Sequence, residues 1–348
     1  MPCRQLTKSL IKSFRRPFIG LLLLFAGSAF CQDPVFSQYY LAPTHINSAF
    51  AGTVAYPNFS AIYRLQWPGL SNAYRTYALS YDQFFRDQNI GIGMSILSDD
   101  QGEGTLKTTK LKGIISYNLQ FANDWQIKFG IGAGFVSNSL DWNKLIFFDQ
   151  IDPQFGIVDG FGNPIPTAEI QPNNLNKGYF DLDLGFLLYN PKYYFGLSMA
   201  HANSPYAGFL YEGSTGDEIG LPVLLSLQAG YQIVIDKDNK GNPRTFISPN
   251  VLYASQSGFN QINIGAYLQR DVIFGGMWIR HTLENIDALI FSAGFNVNGM
   301  RISYSFDLTT SNLGLNTTGG SHELGITLGL TKLEKKVSKL NDCLSLFR

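Results

Sequence analysis

Charge is scarce in this chain. Only 15% of its 348 residues are charged, 26 basic against 26 acidic, where about a quarter is usual. A sparse and balanced charge gives no support to nucleic-acid binding, which needs a basic face. Cysteine is nearly lacking as well. Of the 3 present, Cys3 and Cys31 precede the expected mature chain, which keeps only Cys343, and a single cysteine excludes an intramolecular disulfide framework. Beyond residue 31 no run of about 18 apolar residues occurs, so no transmembrane helix is expected. Metal-site spacing is missing too: His45, His201, His281 and His322 are scattered, with no paired arrangement for a metal. No cofactor is implied.

What is present begins with an export leader. Lys8, Lys12, Arg15 and Arg16 form a basic stretch, Ile19 to Phe25 an apolar one, and Ala29-Phe30-Cys31 a processing site before Gln32. Residues 1–31 are therefore expected to be a signal peptide cleaved near Cys31-Gln32. Lipid attachment at Cys31 is the second route the junction allows, although Phe30 stands where a small residue is required. Residues 32–57 carry Pro34, Pro43 and Pro57 among several aromatics, which predicts an extended, turn-rich segment. Some surface must cover Phe36, Tyr39, Tyr40 and Phe50. Folding into the periplasmic mouth as a plug is preferred over presentation to a periplasmic lipoprotein.

The stretch Trp125–Val136, WQIKFGIGAGFV, states the architecture most clearly. Trp125, Ile127, Phe129, Ile131, Ala133 and Phe135 alternate with Gln126, Lys128, Gly130, Gly132, Gly134 and Val136. A period of two over about a dozen residues is a strand with one apolar face, long enough to cross a bilayer at a tilt. The pattern recurs near Phe59–Gln66, Tyr74–Gln83, Asn89–Ser98, Leu106–Leu119, Tyr179–Tyr189 and Tyr193–Ala202. In the second half it recurs near Val223–Ile235, Phe246–Tyr253, Phe259–Gln269, Val272–His281, Ala288–Val297, Met300–Thr309 and His322–Leu330. Pro249 falls inside one of these, where a proline loses a ladder bond. Asp181 and Asp183 share a face with Gly185, opposite Phe180, Leu182, Leu184 and Phe186. Carboxylates against lipid are intolerable, so that face must line an interior.

Together these predict an all-β fold, a transmembrane antiparallel up-and-down β-barrel of about fourteen strands over residues 58–331, with a periplasmic tail at 332–348. Loop parity agrees. Connections numbered even from the periplasm are short, except Asp236–Arg244, which is somewhat long for such a turn, and the longest, Ser137–Gly178, Asn203–Pro222 and Thr310–Ser321, are all odd. The interior is expected to be polar without a strong charge ladder.

Several motifs invite chemistry and fail. Gly130-Ile-Gly132-Ala-Gly134 lies inside a strand with no helix after it, so a close-approach face is the better reading than a dinucleotide loop. In Asp236-Lys-Asp238-Asn-Lys240-Gly241, Lys240 occupies a ligand position and Ile247 stands where a calcium loop needs Glu. Asp99–Gly104 reads as a solvated acidic loop. Ser321-His322 and His281-Thr282-Leu283-Glu284 hold residue types of a hydrolase, but nothing in their arrangement selects them. A catalytic role is not expected.

At this point the residues resemble a family. QDPVFSQYY…AFAG, YRLQWPGLSNAYRTYALSYDQ, DDQGEGTLKTTKLKGIISYNL, SLDWNKLIFFDQID, ISPNVLY, FNQINIGAYL and DLTTSNL…GGSHEL run in order from Gln32 to about Leu330. They are similar to the PorP/SprF family of type IX secretion outer-membrane proteins of Bacteroidota. Ser48 departs from the pattern, since proline usually follows the asparagine there. The resemblance implies a non-catalytic barrel of a secretion and gliding apparatus. It implies partners as well: a large secreted, adhesin-like cargo held through its C-terminal domain, periplasmic lipoprotein or peptidoglycan-linked components, and outer-membrane lipid. The candidates for partner contact or for barrel-locking polar pairs are Arg64, Gln66, Trp67, Pro68, Asp82, Glu103, Trp142 and Asp149. A passive or plugged pore for small or apolar solutes is the alternative function.

Overall fold

A strand with one oily and one polar face must hide one of them, and in a bilayer the polar face is the one hidden. The computed structural model shows how this chain does so; it describes residues 33–330 apart from 55, 122–123, 210–219, 238, 240–242, 284 and 312. The expected leader at 1–31, with Cys31, and the tail at 332–348 lie outside the described residues.

The strands are β1 (Asn58–Gln66), β2 (Tyr74–Phe85), β3 (Ile90–Gln101), β4 (Leu106–Gln120), β5 (Gln126–Leu140), β6 (Asn176–Tyr189), β7 (Tyr193–Ala200) and β8 (Leu224–Tyr231). They continue as β9 (Ile233–Lys237), β10 (Pro243–Gln256), β11 (Phe259–Arg270), β12 (Ile273–His281), β13 (Ile286–Val297), β14 (Met300–Thr309) and β15 (Ser321–Gly329). Neighbours pair antiparallel in chain order. β15 returns to β1 in unbroken register, from Asn58 opposite Gly329 to Gln66 opposite Ser321, and so closes the sheet. β8 and β9 both lie along β10 and make one interrupted stave. The result is a closed barrel of fourteen staves.

The interruption has a cause in the sequence. Gly230 faces Asn250 and Ile233 faces Ile247, which sets Tyr231 opposite Pro249. Proline carries no N–H, so one bond of that rung is missing and the strand breaks at the next residue, Gln232. Pro249 itself is exposed on the outer face.

The two barrel ends differ. One carries short connections such as 86–89, 190–192, 271–272 and 298–299. Asn298 and Gly299 have φ of 53° and 83°, both positive, as a two-residue type I′ hairpin requires. The other end carries the connections 141–175 and 201–223, though Ser257-Gly258 there is also tight. Short turns face the periplasm and long loops the exterior in barrels of this kind. Between the ends the faces separate cleanly. Leu79, Ile115, Phe129 and Phe180 point outward, while Ser80, Lys112, Lys128, Asp181 and Asp183 are buried inside.

Candidate functional site

The interior is occupied by the chain's own residues 33–57. Phe36, Tyr39, Tyr40 and Phe50 are each at most 2% exposed, and the covering surface that the sequence demands is the barrel wall. Tyr40 stacks on Trp278 at 5.6 Å between ring centroids and meets Tyr267 edge-on at 5.8 Å. Phe50 meets Tyr194 edge-on at 6.4 Å. Burying side chains of this size contributes about 1.5–3 kcal/mol each. Prolines and 3-10 turns, Pro43–His45 and Ser48–Phe50, keep the segment out of the surrounding sheet.

The segment runs the height of the barrel. The Asp33 N–H donates to Gln256 Oε1 (3.0 Å) beside the long-loop rim. Midway, Asn47 Nδ2 donates to the Phe186 and Leu197 carbonyls and to Gln228 Oε1 at 3.0–3.3 Å. Near the short turns, Lys128 Nζ and Ser116 Oγ donate to the Ala51 carbonyl at 2.6 and 2.7 Å, and Gly52 N–H donates to Asp82 (2.8 Å). Leu330 N–H closes on the Pro57 carbonyl at 2.9 Å.

Two ionic clusters fasten it. In the first, Arg64 reaches Glu323 (3.0 Å), Asp307 (3.1 Å) and Ser37 Oγ (2.7 Å). Arg280 joins Asp307 at 2.9 Å and Ser37 Oγ at 2.6 Å. Glu323 in turn accepts the Ser37 and Gln38 N–H groups at 3.0 and 2.7 Å, and Gln38 also hydrogen-bonds Ser303. In the second, His201 lies between Asp181 (2.9 Å) and Asp33 (3.0 Å), with Lys110 3.1 Å from Asp181 and 3.5 Å from Asp33. Lys112 pairs with Asp183 at 2.6 Å and donates to the Thr44 carbonyl. Burial works against a charged His201, yet its hydrogen bonds to Asp181 and Asp33 raise it to about 9. The expectation of an interior without a charge ladder is corrected here. Period-two patterning tells which face a charge occupies, whereas the pairing of Arg64 with residues some 250 positions away exists only once the barrel closes.

Glycine supplies the room. A Cβ on Gly130 would fall on the backbone of Ser48 and Ala49, one on Gly185 on Asn47 and Ala49, and one on Gly91 on the Ala51 carbonyl. The alternating glycines of β5 are thus a close-approach face: the chain's own N-terminal segment comes up to Gly130 and Gly132, and Lys112 of β4 to Gly134.

The candidate residues fall into two groups. Arg64 and Asp82 are buried in the lumen near opposite ends, Asp82 bonding Gly52 and Asn58 and Arg64 bonding Ser37, so both hydrogen-bond the inserted segment. The others sit at the long-loop end. Gln66 supports Arg64 Nε at 3.3 Å. Trp67 has a positive φ of 58°, packs edge-on to Tyr74 and donates its N–H to the Gly320 carbonyl; Pro68 beside it is exposed. Glu103 accepts Lys144 Nζ through its carbonyl, and Trp142 packs on Phe147 with centroids 4.8 Å apart. Asp149 accepts Thr167 Oγ1 and the Ala168 N–H, bracing its loop. Asp33, Ser37, Lys110, His201, Arg280, Asp307 and Glu323 escaped the sequence reading of sites. Their only signal is inward phase on a strand, position in the aromatic segment or, for His201, a place just past the end of β7. Of the hydrolase-like residues, Ser321 faces the lumen while His322 faces outward against the Tyr304 hydroxyl at 2.6 Å, so the two lie on opposite faces.

A family model described as type IX secretion system membrane protein PorP/SprF matches residues 28–328. The chain belongs to the PorP/SprF family. It is accordingly an outer-membrane barrel of the type IX secretion system. Among curated proteins none matches. Solved structures similar to this PorP/SprF chain include a Pseudomonas aeruginosa FadL homologue at 12% identity and TM-score 0.37, covering 78% of this chain and 89% of that one. A TodX deltaS2S3 mutant monoaromatic hydrocarbon channel gives 9% and 0.42, with 84% and 93% covered. A double mutant of Rh. blastica porin gives 9% and 0.30, with 78% and 98% covered.

Proposed function

We propose that this PorP/SprF barrel is a non-catalytic scaffold, which helps secrete or anchor a large adhesin-like cargo at the cell surface through the cargo's C-terminal domain. The observation that carries this reading is the filled lumen. A segment fastened by buried ion pairs at one end, by the Ala51 and Gly52 bonds at the other, and by aromatic packing between leaves the barrel suited to holding rather than conducting. Family membership supplies the secretion context. The periplasmic turns are the side from which lipoprotein or peptidoglycan-linked components would be met. Reconstituted in liposomes, the protein should show little solute flux, and gentle extraction from its native membrane should retain a secreted protein. Steady flux of small solutes, with the barrel recovered alone, would instead favour the pore.

A further inference from the structure

The balanced charge of the chain conceals a polarity. Among the described residues, the connections at the long-loop end hold six carboxylate residues, Glu103, Asp141, Asp149, Asp152, Asp159 and Glu169, and one base, Lys144, a net of −5. Among the described residues no three acidic, histidine or cysteine side chains converge as a metal-binding group, so this charge is spread over a face. On the same face the connection 141–175 offers large apolar side chains to water. Phe148 is 93% exposed, Phe161 94% and Ile170 85%.

Those side chains are held in place. Asp159 accepts the Phe161 and Asn163 N–H groups at 2.9 and 2.8 Å, and Asp149 accepts Ala168 at 2.6 Å. Gln150 joins the Phe147 N–H to the Ile165 carbonyl. A loop of this length that braces itself yet leaves aromatics bare has already met the ordering cost of binding. The aromatics do not serve the bilayer. On β5 the outward series turns polar after Phe135, at Ser137 and Ser139, and the loop begins six residues beyond Phe135, roughly 20 Å along the strand at about 3.3 Å per residue. An acidic face is also repelled by an anionic outer leaflet.

We propose that the connection 141–175, with Phe148, Phe161 and Ile170 as anchors, is the docking surface for a secreted polypeptide whose contact face is apolar at its centre and basic at its rim. This rests on the holding function proposed above and names the surface that performs it. Charge complementarity selects the partner: a second copy would present −5 to −5, and lipid would present like charge.

The test is site-specific photo-cross-linking in intact cells at Phe161→p-benzoylphenylalanine, alongside a Phe148→Ser/Phe161→Ser variant whose folding is checked by heat-modifiable migration. Support is a cross-link to a basic, apolar segment of a secreted polypeptide. The double variant should then retain that polypeptide at least about 30-fold less well, as expected for loss of an anchor aromatic. Retention should also fall steeply with added salt. A cross-link to lipid or to a second barrel overturns the proposal. Equal retention by wild type and variant overturns it while leaving the holding function intact. If the wild-type barrel retains no secreted protein, the holding function fails and the docking surface with it.

Discussion

Replacing Arg64 by methionine should release the lumen segment. Arg64 is 3% exposed and ties Ser37 to Glu323 and Asp307, which are themselves buried. Methionine keeps much of the volume and removes the charge, so Asp307 keeps Arg280 while Glu323 loses its ion pair with Arg64. Breaking a buried ionic group by removing one partner costs about 3–5 kcal/mol. At about 1.4 kcal/mol per factor of ten, the population with the segment displaced should rise by roughly two to four powers of ten. A thiol at Thr44, which is 1% exposed and whose side-chain oxygen has no hydrogen-bond partner, reports that population. In a Thr44→Cys, Cys343→Ser background, labelling by a membrane-impermeant maleimide should be slow, and adding Arg64→Met should accelerate it by the same factor. A labelling rate unchanged within about threefold would refute the assignment of Arg64 as a lock.

Three further outcomes are expected. His201 has a folded pKa of about 9 against 6.5 ordinarily, so its stabilisation is complete below pH 6.5 and is lost as pH rises through 9. The midpoint of heat-modifiable unfolding should fall across that window, and His201→Gln should flatten the profile; an identical slope in the variant would remove His201 as the cause. Gly130→Val places atoms on the Ser48 and Ala49 backbone and should open a conducting lumen in planar bilayers. Channels as silent as wild type would show the close approach to be unimportant. Pro249→Ala restores an N–H opposite Tyr231 and should join β8 to β9, raising stability by up to about 1 kcal/mol. Unchanged hydrogen exchange over residues 231–233 would count against the proline as the source of the break.

Much of the barrel was legible because its cause is local. Each strand declares its lipid face by a two-residue period, and turn chemistry such as Asn298-Gly299 declares the next reversal. Fourteen such segments with short and long connections in alternation leave a closed antiparallel sheet as the arrangement that satisfies every backbone group in lipid. The family, too, was readable from Gln32 to about Leu330. The break at Gln232 was not, since Val223–Ile235 reads as one strand and only the register sets Tyr231 opposite Pro249.

What the sequence could not disclose depends on closure. Asp181 and Asp183 could be assigned inward, but not to Lys110, His201 and Lys112, since those partners arrive from other strands. For Arg64 and Asp82 the sequence offers partner contact or a barrel-locking polar pair with no means of choosing, because alternation gives the phase of a residue and not its depth. The glycines of β5 announced that something comes near, and only the closed wall shows that residues 33–57 are what it encloses. Long-range pairing is a property of the cylinder, and a linear pattern carries no information about which residues meet across it.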